Sequence, residues 1–221
     1  MYLSRVYLDQ ERIETMKAIY RPRLLHGAVE QGFAGKRQRR LWRIDRLDED
    51  CQLLVLSGEE PDFAHIVEQF GFPDSEPLWE TKEYRPLLAK LKTGQSWQFR
   101  LCANPTRSSA KDKDQGMARG KVFAHVTQEQ QKKWLLQRAV NVGIILDENA
   151  FDVVQTNWYK FSNNQSEKNM ITIRTATFEG MLTISDLERF KNVLISGIGR
   201  AKAYGCGLMT LANRRGDNDG R

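Results

Sequence analysis

Three histidines, His26, His65 and His125, are the side chains of this chain that titrate near neutral pH without help from their surroundings. His26 has the most reactive neighbourhood. Pro22 suits the first position of a helix running to about residue 32, which puts His26 in its first two turns. Arg23, three residues before, and Glu30, four after, share its stripe. A helix N-terminus favours a bound anion, so an imidazole beside a guanidinium there suits phosphodiester chemistry. The residues alone leave a second reading open, a surface histidine on an amphipathic helix. His65 falls in a helix that Asp62 would cap and reads as packed or surface. His125 lies beside Phe123 and Val126, as a structural residue or an RNA contact. No two histidines have the i, i+4 spacing of a helical metal pair, and no metal site is expected.

The cations gather. Lys36, Arg37, Arg39 and Arg40 follow the His26 helix directly. Arg107, Lys111, Lys113, Arg119 and Lys121 crowd a Gly/Ser-containing stretch after Asn104 and Pro105, diluted by Asp112 and Asp114. Such segments grip phosphates without choosing sequence; solvated charge is the alternative. Trp42, Trp158, Tyr159 and Phe161 are stacking surfaces or core. Residues 197–207 hold four glycines, Gly197, Gly199, Gly205 and Gly207, with Arg200 and Lys202 between them. Glycine lets backbone approach a ligand closely. The run matches neither a Walker loop nor the dinucleotide fingerprint, because Lys202 stands where the latter needs glycine. Leu187, Phe190, Val193 and Leu194 recur at helical spacing before it, and residues 208–211 read as a strand. The run therefore joins helix to strand, the reverse of a phosphate-binding P-loop.

These residues need a scaffold. Residues 2–8 alternate as a strand, the His26 helix follows, and residues 41–46 and 52–57 are strand-like. Asp62 starts a helix ended by Gly71, and a last strand falls within 77–91. The second half repeats the order: a strand at 97–103, a helix capped by Thr127 with Gln130 completing a capping box, and strands at 150–161 and 170–184 around a polar turn. A helix at 186–196 and a strand at 202–211 complete it. The expectation is α+β: two tandem ferredoxin-like βαββαβ domains, 1–92 and 96–213, with a disordered tail at 214–221.

Composition agrees with a globular chain. Of 221 residues, 40% are apolar and 28% charged, and the net charge of +6 favours an acidic partner. Cys51, Cys102 and Cys206 are odd in number, with no C-x-x-C pair, so neither zinc nor a disulfide framework is expected and a reduced cytoplasm fits. The alternating, charged start is a strand rather than a signal peptide. No apolar run approaches the ~20 residues of a membrane span.

Several short segments occur together and in order: the start from Met1 to Val6, His26, Leu41-Trp42-Arg43, Phe99 to Pro105, Thr177 to Ile184, and the glycine run. The set resembles the CasE (Cse-type) CRISPR-associated endoribonucleases of the RAMP superfamily, across nearly the whole chain. The resemblance implies two ferredoxin-like domains and cleavage of CRISPR precursor RNA just 3′ of the repeat stem-loop. It implies a reaction without metal or cofactor, in which the ribose 2′-OH attacks the neighbouring phosphate and leaves a 2′,3′-cyclic phosphate or 3′-phosphate end. It also implies retention of the product within the Cascade complex.

The family histidine maps onto His26. Family members often carry tyrosine three residues earlier, where this chain has Arg23; the nearest tyrosine is Tyr20. Arg23 would substitute by stabilising charge on the phosphorane, with His26 as general acid or base. Lys160, Arg200 and Lys202 match family regions that approach RNA. Two other classes remain in contention. One is a noncatalytic module that binds an RNA hairpin. The other is a small-molecule enzyme on a ferredoxin-like fold, which would lack salt-sensitive RNA binding.

Overall fold

The structure is a computed structural model and describes residues 1–35, 38–47, 50–109, 121–162 and 170–213. Lys36, Arg37, Lys111, Lys113, Arg119, the polar turn at 163–168 and the tail at 214–221 lie outside the described residues.

The first half runs β1 (Tyr2–Tyr7), α1 (Ile13–Tyr20), α2 (Pro22–Gln31), β2 (Leu41–Arg46), β3 (Cys51–Ser57), α3 (Ala64–Phe70), β4 (Glu80–Glu83) and α4 (Arg85–Lys90). Its sheet has the order β2-β3-β1-β4 and is antiparallel, the ferredoxin-like arrangement. Alternation along each strand sorts the side chains. Val6, Trp42, Leu53 and Val55 face the helices, where they pack with Leu25, Val29, Phe63 and Ile66. Leu3, Leu41, Leu54 and Leu56 point the other way and join the core of the second half. One core therefore crosses between the halves.

Two helices of the first half, α1 and α4, stand outside the sequence expectation. Residues 13–20 form α1, whose Thr15, Ala18 and Ile19 are buried at helical spacing. Arg21, preceding Pro22, sits at φ −122°, ψ 77°. A residue before proline is driven out of the helical region, so one amphipathic stretch becomes two helices. The last strand expected within 77–91 is β4, and α4 follows it in the same stretch. Pro86 cannot donate to a strand ladder but fits the first turn of a helix.

The second half runs β5 (Ser96–Ala103), β6 (Thr106–Ser108), β7 (Val122–Ala124), α5 (Gln128–Ala139), β8 (Ile144–Ile145), β9 (Phe151–Ser162), β10 (Met170–Ile184), α6 (Leu187–Ser196) and β11 (Met209–Ala212). β5 lies between β11 and β10, and β9 and β8 share the far edge of β10. Apart from the unanticipated β6–β7 hairpin and the two-residue β8, this repeats the ferredoxin-like order. Trp134 stacks on Phe178 at 6.2 Å within the helix-covered core. Thr127 Oγ1 accepts from Gln130 N at 3.2 Å, while Gln130 Oε1 accepts from Val126 N at 3.1 Å, one residue short of the expected reciprocal bond. Asp186 caps α6 by accepting from Arg189 N at 3.1 Å. The expected strand at 202–211 is a 3₁₀ turn, Lys202–Tyr204, and a strand only from Met209. Gly205 and Gly207, at φ 79° and 96°, stand outside strand geometry.

Polar groups clamp the two sheets. Arg43 on β2 is 1% exposed and bonds Asp45, also buried, through Nε and Nη2 at 2.7 Å each. Its Nη1 donates to the carbonyls of Arg100 and Leu208 at 2.8 and 3.0 Å, and Nη2 to Thr210 Oγ1 at 2.8 Å. Asp45 also accepts from Arg100 Nε at 2.9 Å.

Candidate functional site

Arg23, Leu24, Gly27 and Gln31 of α2 line a cleft of about 1100 Å³ whose opposite wall is Lys160, Phe161 and Ser162 of β9 with Met170 of β10. Lys17 and Arg21 line it too, and among the described residues Glu14 is its one carboxylate. The β9 register that buries Phe161 turns Lys160 outward, so Arg23 and Lys160 meet across one cleft although they come from opposite halves of the chain. A cleft with this excess of cations over carboxylates concentrates an anionic ligand. Gly27 sits mid-helix with open space where a Cβ would be.

His26 lies one step round α2 from this lining. It is half-buried, with its Nδ1 buried, on the stripe of Val29 and Glu30. That helix packs against the Lys202–Tyr204 turn. Tyr20 ends α1, well exposed, with the Arg46 guanidinium 5.7 Å from its ring, and does not line the cleft. Arg46 carries more of this region than the sequence reading gave it. Its Nε and Nη2 are buried and have no hydrogen-bond partner among the described residues. Burial pushes the nearby Tyr159 hydroxyl up to about 12, the Cys102 and Cys206 thiols add to this, Arg46 opposes it, and Tyr20 adds a smaller rise. The missed signal was alternation: Trp42, Ile44 and Arg46 share one face, so the strand pattern points a cation toward the helices.

The glycine run is pressed between the halves. A Cβ on Gly197 would meet Leu41 Cδ2 at 2.8 Å, and one on Gly205 would meet Trp42 Cζ3 at 2.8 Å, both at positive φ. The run is thus required by close packing on β2. Lys202 Nζ donates to Ser196 O at 2.7 Å, at the C-terminal end of α6, where a cation is favourable. Its pKa is lowered by burial and then by Arg39. Its ammonium is held by the protein's own backbone, a structural anchor as well as a candidate contact.

Arg40 corrects an expectation. It is 6% exposed, donates to Glu30 Oε2 at 2.9 Å and Glu59 Oε1 at 2.7 Å, and lies 4.0 Å over the Phe33 ring. Both edges of its guanidinium are used by carboxylates, so it joins α2 to the end of β3 instead of facing phosphate. Arg39 beside it is exposed. His65 is structural: its Nε2 is 2.8 Å from Ala28 O, tying α3 to α2.

Arg107 and Arg200 do not reach the α2 cleft. They line a separate cavity of about 480 Å³ with Asn104, His125, Trp134 and Arg138. Burial, then Arg107 and Arg138, lower the His125 pKa. Among the described residues, no three His, Cys, Asp or Glu side chains form a set that could hold a metal, and no helix is long and apolar enough to cross a membrane.

The chain is similar to known proteins. It is 28% identical to the CRISPR-associated endoribonuclease Cse3 of Thermus thermophilus, covering 96% of this chain and 100% of that protein. It is 27% identical to the CRISPR system Cascade subunit CasE of Escherichia coli, covering 69% of this chain and 76% of that one. Among solved structures, Thermus thermophilus Cse3 bound to an RNA representing a pre-cleavage complex superposes with a TM-score of 0.73 at 25% identity, covering 96% and 98% of the two chains. A model of the CRISPR associated protein family matches residues 1–213, nearly the full length, and the chain belongs to that family.

Proposed function

We propose that this protein is an endoribonuclease that cuts CRISPR precursor RNA on the 3′ side of the repeat stem-loop and keeps the processed guide within a Cascade complex. The observation that carries this reading is the cleft in which Arg23 and Lys160 converge beside the His26 helix. It offers a cationic seat for one phosphodiester next to the chain's best-placed titratable group. The relatives named above supply the substrate class. The N-terminal domain, 1–92, carries His26, and the C-terminal domain, 96–213, carries Lys160 and the glycine run.

In the reaction, the ribose 2′-oxygen forms a bond to the adjacent phosphorus and the bond to the 5′-oxygen breaks. The 2′-OH loses its proton, the leaving oxygen gains one, and the ends are a 2′,3′-cyclic phosphate and a 5′-OH. His26 moves one of these protons. Arg23 and Lys160 hold the nonbridging oxygens and stabilise the charge that builds on them. Tyr20, with Arg46 beside its ring, is a weaker candidate for a proton donor. No metal takes part. Arg39, Arg107, Arg200 and Lys202 contact RNA backbone, as do Lys36, Arg37, Lys111, Lys113 and Arg119.

The test is repeat RNA with purified protein in excess EDTA. One cut is expected, and it is lost when the nucleotide before the cut is 2′-deoxy. Binding without cutting points to a noncatalytic hairpin-binding module instead. Arg23→Ala should slow cleavage roughly 10²-fold, the scale of one lost oxyanion donor; a wild-type rate removes Arg23 from the mechanism.

A further inference from the structure

We infer that the cavity between β6, α5 and the glycine run is a phosphate-binding site separate from the α2 cleft, built to hold one backbone phosphate of the RNA. This rests on the endoribonuclease reading for the source of the phosphate, but not for the site itself. Three guanidinium groups converge there from three elements: Arg107 of β6, Arg138 of α5 and Arg200 of the glycine run. Among the described residues, no carboxylate lines the cavity. Arg138 is pre-positioned. Its guanidinium lies 4.1 Å over the Trp134 ring and its Nη1 donates to Trp134 O at 3.2 Å.

Trp134 supplies the second observation. It lines the cavity, is 2% exposed, and its buried Nε1–H has no hydrogen-bond partner among the described residues. A buried donor without an acceptor is costly, and a phosphate oxygen would satisfy it. Gly199 adds a reason for its own identity: a Cβ there would reach Trp134 Cζ2 at 3.3 Å, narrowing the approach. The glycine run then has two working sides. Its Lys202–Tyr204 side packs on α2, and its Gly199–Arg200 side forms a wall of the phosphate cavity. A strand held in the cavity would be aligned across the run toward the His26 helix.

His125 is the built-in reporter. It faces Arg107 and Arg138, with Arg200 in the same lining, and both neighbours together with burial depress its pKa. An anion among these arginines favours the imidazolium and must raise that pKa.

The experiment follows the His125 ring signals by NMR on the whole protein, first with inorganic phosphate at constant ionic strength, then with repeat RNA made uncleavable by one 2′-deoxy nucleotide. Phosphate should raise the His125 pKa saturably, Arg138→Gln should abolish the response, and RNA should displace the phosphate. No response beyond that of chloride overturns the site. A phosphate response that RNA does not displace overturns RNA as the source. RNA that fails to bind wild-type protein at all overturns the endoribonuclease reading while leaving the phosphate arm intact. In binding assays, Arg107→Gln, Arg200→Gln and the double variant should each lower the salt slope of RNA binding by about one, because they share one phosphate. A loss of about two in the double variant overturns the shared site.

Discussion

Replacing Arg43 with alanine probes what holds the two halves in register. The side chain is 1% exposed and spends its guanidinium on Asp45, two carbonyls of the second half and Thr210. Alanine leaves Asp45 buried with the Arg100 bond, and strips the Arg100 and Leu208 carbonyls of this donor. Breaking a buried ion pair from one side costs about 3–5 kcal/mol. The surviving Arg100 contact places the variant near the lower end, about 3 kcal/mol. For a chain of this size that is a fall in Tm of roughly 6–12 °C. The assay is urea and thermal unfolding beside Arg5→Ala as control. The Arg5–Glu80 pair, 2.8 Å apart, is 35% and 36% exposed, and such pairs contribute about 1 kcal/mol or less. A loss for Arg43→Ala no larger than the control refutes the clamp. RNA cleavage below the Tm should fall as well, because the clamp joins β2 to β5 and β11, and the cleft is lined from both halves.

Two glycines should respond in opposite directions. Gly27→Ala, with open space at its Cβ, should stabilise α2 by about 0.5–1 kcal/mol. Gly205→Ala, at φ 79° against Trp42, should cost about 2–4 kcal/mol; paired unfolding curves decide. For His125, the depressed native pKa means the unfolded chain takes up a proton first on acidification. Stability is therefore lost as pH falls from 6.5 through the native value. In phosphate-free buffer, His125→Gln should flatten the dependence of Tm on pH across that window, and an unchanged slope contradicts the assigned environment.

Local signals carried much of the fold. β10 was legible over residues 170–184 because β-branched and apolar residues recur along it, although the alternation changes phase at the irregularity between Thr177 and Phe178. The Thr127 cap was legible because a capping side chain acts within three residues. α1 was not, since its eight residues are bounded by charge and cut from α2 by Pro22. The site divides the same way. The start of the His26 helix follows from Pro22, but the meeting of Arg23 with Lys160 depends on how β9 lies against α2. Arg40 looked like its neighbours in a basic run, and only the tertiary placement of Glu30 and Glu59 turns it inward. The cavity of Arg107, Arg138 and Arg200 gathers three elements with no spacing pattern in common.

The most direct measurement is His26→Ala with cognate repeat RNA in EDTA, with cleavage and affinity measured separately. Loss of the cut by 10²-fold or more, with RNA affinity within a few-fold of wild type, is the predicted result for an imidazole that moves a proton. Cleavage at the wild-type rate would contradict the assignment of catalysis to the α2 helix.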